Sequence, residues 1–305
     1  MRPELLRPDL PEKIMAPEKI IAIDWSGRID PAGQRRSIWA ASWTKDGVTL
    51  EANRTREELA SWLIDESKKT PQMVVGVDFC FSYPAWFVRE NGFGNVIEFW
   101  DLVTKSLGAY WLGNHCTDER FWGRPKKKPD QFRGAGNEKM FRQADLACKV
   151  RSHILNQLDR DKVKGIAPKS PFQIGGAGAV GTGTLRGIPI LHHLHNNGFH
   201  VWPFEELSFP LIVEIYPRLL TGEVKKKQQQ AREQYLADKR KHDPMFRKLP
   251  RAVMRKAETS EDAFDALVSM VEMVRHAESF LSLSKTTDPI TRLEGSVWGA
   301  GGLKP

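Results

Sequence analysis

Cysteine is scarce in this chain: Cys80, Cys116 and Cys148 are the only three in 305 residues. Three widely separated thiols make neither a disulfide framework nor a cysteine zinc cluster. A reducing, cytoplasmic setting is therefore the default expectation. No apolar run approaches the ~20 residues that span a bilayer, so no transmembrane helix and no membrane partner is expected. The opening stretch MRPELLRPDLPEKIMAPEK carries prolines and scattered charges where a secretion signal would have an apolar core, and residues 1–18 read as a tail. Internal repeats are missing. So is a Lys-Ser/Thr pair after a glycine run, which excludes a Walker A phosphate loop. No Ser–His–Asp or Cys–His arrangement is visible from spacing.

What remains is an ordinary globular composition, 40% hydrophobic and 28% charged, with a formal charge of +8 and a pI of about 9.3. A basic surplus of this kind suits a polyanionic partner such as nucleic acid. The length is enough for a full hydrophobic core.

Three short apolar runs each end in an acid: KIIAID at Asp24, MVVGVD at Asp78 and LIVE at Glu214. An apolar run without polar alternation fits a strand covered on both faces, as in an α/β sheet. Between the first two lie strand-like RSIWAASWT (36–44) and a second run at 48–52, separated by Lys45-Asp46-Gly47, a hairpin signal. Thr55 and Glu58 then form a capping box for a helix with Leu59, Trp62 and Leu63 on one face. The order is three strands joined by hairpins, a helix, and a strand parallel to the first. Pro84 opens a helix, another is expected over 96–107, and a third over 140–158. Between these, residues 108–136 turn loop-like, with basic Arg124, Lys126, Lys127 and Lys128. A glycine-rich stretch at 170–183 precedes a helix within 185–196, strand-like FHVWPF and LIVEIYP follow, and 225–242 reads as a basic helix or tether. The expected architecture is a single α/β domain over 19–305, a mixed five-stranded sheet flanked by helices, with a large helical and loop insertion at about 84–210.

The chemistry lies in the acids. Asp262 and Asp265 are three apart on a late helix capped by Ser260, so both leave one face. Ala263, Phe264, Leu267 and Val268 place that helix on the sheet, whose strand ends already carry Asp24, Asp78 and Glu214. In open α/β sheets, ligands sit at those carboxyl ends. One acid in a first helical turn needs only the helix dipole to explain it. Five acids converging repel one another unless a cation joins them. Hard oxygen ligands suit Mg²⁺ or Mn²⁺, and two such ions can hold the attacking water and the leaving oxygen of a phosphodiester.

The glycines weigh less. Gly176, Gly178 and Gly181 make G-x-G-x-x-G with Glu205 downstream, but the strand that a dinucleotide fingerprint requires before it is missing. A flexible loop is the plain reading. A backbone cradle for a nucleic-acid phosphate is the functional one, with Arg186 in the following helix. Lys126, Lys127 and Lys128 read either as a solvated face or as a grip on a phosphate backbone. His192, His193 and His195 are spread around a helix, which argues against a metal cluster.

Strand, strand, strand, helix, strand, with acids on the first and fourth strands and on a late helix, resembles the ribonuclease H-like fold. The paired aspartates of the last helix are most similar to its Holliday-junction resolvase branch. More closely, IDWSG, VGVDFCFSYP, PFQIGGAGAVGTGTLRGIP, VEIYP, DAFDAL and EGSVWG together resemble a domain-of-unknown-function family of predicted nucleases of that fold, over about 19–300. The resemblance implies a divalent-metal nuclease site with Asp24, Asp78, Glu214, Asp262 and Asp265 as its acids. Of these, Asp24, Asp78, Glu214 and Asp265 would be metal ligands, Asp24 bridging two ions. Its substrate would be DNA or RNA, and a homodimer is left open because junction cutters tend to be dimers. Two other readings stand beside it. One is an ATP-binding phosphotransferase of the actin and sugar-kinase type, whose first phosphate loop IDWSG mimics. The other is a catalytically silent nucleic-acid binder of the same fold.

Overall fold

The structure is a computed structural model, which describes residues 16–123, 127–158, 168–176, 178–222 and 224–303. The expected tail, 1–18, falls almost wholly outside these residues. Six strands form the sheet: β1 (Lys19–Asp24), β2 (Trp39–Thr44), β3 (Gly47–Glu51), β4 (Met73–Val77), β5 (His200–Val201) and β6 (Leu211–Glu214). Their spatial order is β3-β2-β1-β4-β6-β5. The first three are antiparallel neighbours, while β4, β6 and β5 continue parallel to β1. The sixth strand is the two-residue β5, within the strand-like FHVWPF, and it adds an edge beside β6.

Helices α1 (Pro31–Ser37), α2 (Arg56–Lys69), α3 (Ala85–Glu90), α4 (Val96–Leu102), α5 (Gly108–Leu112), α6 (Gln143–Leu158) and α7 (Val180–His195) precede β5. Helices α8 (Pro217–Thr221), α9 (Gln229–His242), α10 (Pro244–Lys248), α11 (Arg251–Thr259), α12 (Glu261–Arg275) and α13 (Thr291–Glu294) follow β6. The expected strand over 36–44 starts later. Asp30 accepts from the Gly33 amide and Pro31 takes the first helical position, so the chain turns through α1 before it extends. The capping box of α2 forms as expected, with Thr55 accepting from the Glu58 amide and Glu58 from that of Thr55.

Strand parity divides the core. On β1, Ile21 and Ile23 face one side and Ile20 and Ala22 the other; on β4, Val75 and Val77 oppose Val74. The first side is covered by α2 and α7 (Leu59, Leu63, Leu185, Ile188), and joins an aromatic cluster around Tyr83, Phe87 and Phe172. The second is covered by α12 and the helices behind it, through Phe264, Leu267, Leu236 and Val253. At Gly76 a Cβ would lie 2.6 Å from Met273 Sδ, so the missing side chain on β4 sets how closely α12 approaches the sheet.

Candidate metal centre

The strand acids inherit that parity. Asp24 continues the Ile20–Ala22 side of β1, and Asp78, whose amide bonds Ile23 O, continues the Val74 side of β4. Both therefore leave the sheet on the side where α12 lies, and α12 brings Asp262 and Asp265 to the same place. Ser260 caps α12 by accepting from the Ala263 amide at 3.2 Å, which fixes where its first turn begins.

Into this group comes Lys226, from the segment between α8 and α9. Its Nζ is ion-paired to Asp265 Oδ2 and lies 3.7 Å from Glu261 Oε1. Burial and then the charges of Asp265, Asp262 and Asp78 push the Asp24 carboxyl well above its usual range, against the pull of Lys226. Burial raises Asp78 to about 7, with Lys226 opposing and Asp265 adding to the rise. Burial likewise raises Asp265 to about 6, although Lys226 pairs with it. Asp262, half-buried at the mouth, is raised by burial and by Glu261. Burial disfavours the Lys226 ammonium, yet Asp265, Asp24 and Asp78 hold it above its ordinary value. One ammonium thus serves several buried carboxylates. Asp265 Oδ1 has no hydrogen-bond partner among the described residues, on a side chain only 2% exposed.

Glu214 lies at the same edge as Asp78 and adds to the rise of its carboxyl, but it leaves the other face of the sheet. Val77 is its register partner on β4, so it emerges with the Val77 side of the sheet, away from Asp78. There its two oxygens accept from Arg142 Nη2 at 2.6 Å and Nη1 at 2.8 Å, and the Phe81 amide adds a third bond at 3.0 Å. Arg142, fully buried, also holds Asp145 (2.7 Å) and the Glu294 carbonyl (3.1 Å). Burial opposes its charge, but Asp145 and Glu214 hold it protonated. Glu214, expected to ligate metal beside Asp24 and Asp78, has its carboxylate bonded to a guanidinium and grouped with Cys80 and Asp145.

Cys80, Asp145 and Glu214 are the tightest group of ligand-type side chains among the described residues, their candidate atoms all within 4.8 Å. Asp24, Asp78 and Asp265 are more widely spread. In the tight group the cation is Arg142, and burial pushes the Cys80 thiol well above its usual value. In the wider group burial raises the carboxyls, and Lys226 is the cation paired directly with one of them.

A cavity of about 260 Å³ opens at this edge between Trp25, Asp78, Asp145, Gly178, Glu214 and Tyr216. The glycine-rich segment closes one wall. Gly27, after the β1 turn, lies so near α7 that a Cβ would come 2.8 Å from Gly183 N. Trp25 Nε1 donates to Gly183 O at 3.1 Å, and Arg186 donates to Gly27 O. IDWSG and the GTGTLRG stretch are thus one packing unit. Among the expected phosphate-binding residues, Gly178 lines the cavity, Gly176 is exposed nearby, and Gly181 is buried against Pro171 O. Arg186, expected to grip phosphate, uses one guanidinium nitrogen on the Gly27 carbonyl. Lys127 and Lys128 line a different surface cavity with Glu119 and Arg133, and Arg124 and Lys126 lie outside the described residues. Glu205 pairs with His195 at 3.2 Å and accepts from the Val201 amide at 2.9 Å, an acid occupied by its own fold.

Lys226, Arg142 and Asp145 are site residues that the sequence does not announce. The only prior signal for Lys226 is the run Lys225-Lys226-Lys227, and for the other two an i, i+3 basic-acidic spacing of a kind common on helix surfaces. No family model matches the chain, and no curated protein or solved structure is similar to it.

Proposed function

We propose that Asp24, Asp78 and Asp265, with Asp262 at the mouth, hold Mg²⁺ or Mn²⁺, and that the protein hydrolyses phosphodiester bonds in nucleic acid. The observation that carries this reading is the buried carboxylate group into which Lys226 reaches, with Asp265 Oδ1 lacking a hydrogen-bond partner among the described residues. A buried charged oxygen without a partner is costly, and a hard cation satisfies it. All donors in the group are carboxylate oxygens, the set that Mg²⁺ and Mn²⁺ take. The strand order supports the ribonuclease H-like reading: three antiparallel strands, then parallel β4 and β6, with β5 as an added edge.

When bound, the ions supply charge stabilisation for an attacking water and a leaving oxygen at phosphorus. The protein's own groups do the rest. Asp24 and Asp78 are fixed on adjacent parallel strands, and Asp265 is fixed by α12 packed on the sheet, so the three cannot splay apart. Asp262, less buried than the other three, would orient water by accepting a hydrogen bond from it. Glu214 acts at one remove: bonded to Arg142 and to the Phe81 amide, it ties the chain after β4, and with it Asp78, to β6. The basic surplus of the chain supports a polyanionic substrate.

Calorimetric titration with Mn²⁺ of the wild type and of Asp24→Asn, followed by labelled DNA and RNA substrates, tests the reading. Binding and cleavage that vanish in the variant support it. Unchanged turnover in Asp24→Asn sinks it. Thermal stabilisation by ATP without cleavage favours the actin and sugar-kinase type, and nucleic-acid binding indifferent to EDTA favours a silent binder.

A further inference from the structure

We infer that Lys226 is a tethered counter-cation that occupies the carboxylate site in place of a divalent ion and exchanges with it, so that metal loading turns the ammonium out toward the substrate phosphate. The inference rests on the metal-site reading above. Lys226 lies in a segment without helix or strand, flanked by Lys225 and Lys227, while its own side chain turns inward to Asp265 and Glu261. That placement is built. Arg232, buried on α9, donates to the Lys226 carbonyl and, at 3.1 Å, to Glu258 O. Arg218 donates to Val224 O at 2.6 Å, holding the preceding turn. Two arginines therefore fix the backbone that aims this one ammonium at the acids.

The chemistry favours exchange. An ammonium on a four-carbon stem is one flexible point charge, whereas a divalent ion brings two charges and demands several oxygens at once. Asp265 Oδ2 serves Lys226 while Oδ1 has no partner among the described residues, so the carboxylate is half used by its present cation. Released from Asp265, the ammonium would join Lys225 and Lys227, which are exposed beside it. Metal and polyanion then reinforce each other's binding, because the ion that enters releases the cation that grips the phosphate.

Calorimetric titration of full-length protein with Mn²⁺ alone decides this, using wild type, Lys226→Met and Lys226→Arg. Exchange requires Lys226→Met to bind Mn²⁺ on the order of tenfold or more tightly than wild type, since no resident charge has to be displaced. Lys226→Arg, which keeps the charge, should stay within about threefold of wild type on the same scale. The metal-free melting temperature of Lys226→Met should fall below that of wild type, and the gap should close at saturating Mn²⁺. Binding by all three proteins with Lys226→Met equal to or weaker than wild type overturns the exchange and leaves the metal site standing. No Mn²⁺ binding by any of them overturns the metal reading itself.

Discussion

Val77 on β4 and Glu214 on β6 are register partners, so the Glu214 carboxylate leaves the sheet on the side opposite Asp78, one residue further along the chain from Val77. Two acids at neighbouring strand ends thus serve different cations: Asp78 belongs to the Lys226 group and Glu214 to Arg142.

Metal binding should separate the two. In Mn²⁺ titrations, Glu214→Gln is expected to keep its affinity within about threefold, while Asp24→Asn and Asp265→Asn lose on the order of tenfold or more, as for removal of a direct charged ligand. Equal losses in all three variants would show that Glu214 is a ligand after all.

Arg142 carries a different expectation. Its guanidinium is fully buried and bonded to two carboxylates, so Arg142→Met leaves both charged and unsatisfied. A loss of roughly 3–5 kcal/mol is expected, read from denaturant midpoints. Arg142→Met combined with Asp145→Asn and Glu214→Gln should recover part of it, because no uncompensated charge then remains.

The pH dependence follows from Asp78, raised from an ordinary 3.8 to about 7. Between those values the folded protein holds a proton that the unfolded chain releases, so this group's contribution is full below pH 3.8 and is lost as pH rises through about 7. The amide introduced by Asp78→Asn has no such proton to lose. In EDTA, the melting temperature of Asp78→Asn relative to wild type should therefore climb from about pH 5 to about pH 8, by on the order of a few °C. A flat difference across that range would mean that Asp78 titrates normally.

Gly27→Ala tests the seam between IDWSG and α7. The new methyl would meet backbone at Gly183 and Thr182, which no rotamer change relieves. A cost of about 1–3 kcal/mol is expected by chemical denaturation. Gly183→Ala, whose nearest contact is the edge of Trp25 at 3.5 Å, should cost far less.

Much of this arrangement is legible in the residues. Apolar runs without alternation give β1, β4 and β6, and the helical spacing of Ala263, Phe264 and Leu267 gives α12 and hence the convergence of its aspartates on the sheet. Glu214 escapes that reading for a reason tied to pairing. Asp24 and Asp78 stand one step beyond residues that pair with each other, Ile23 and Val77, whereas Glu214 itself pairs with Val77. That offset depends on inter-strand register, which a single strand does not encode. Arg142 and Lys226 are illegible because their partners lie 72 and 39 residues away in sequence, and surface and buried basic residues look alike until packing distinguishes them. Within the glycine fingerprint Gly181 lies against Pro171 and Gln173 and Gly178 against Lys169, while Gly176 is open, none of which its spacing announces.

The sheet topology also has a temporal side. β1 and β4 are complete early in synthesis, while α12 and the Lys226 segment that complete the acid group emerge much later, and the Glu294 carboxylate that receives the Ala85 amide comes from 209 residues downstream. Contacts of such separation form late and slowly. Asp24 and Asp78 therefore stand as repelling charges on a nascent sheet until the last helices dock. The divalent-ion affinity proposed above would arise only at that final docking, and Mn²⁺ uptake during refolding would then time the closing step of the fold.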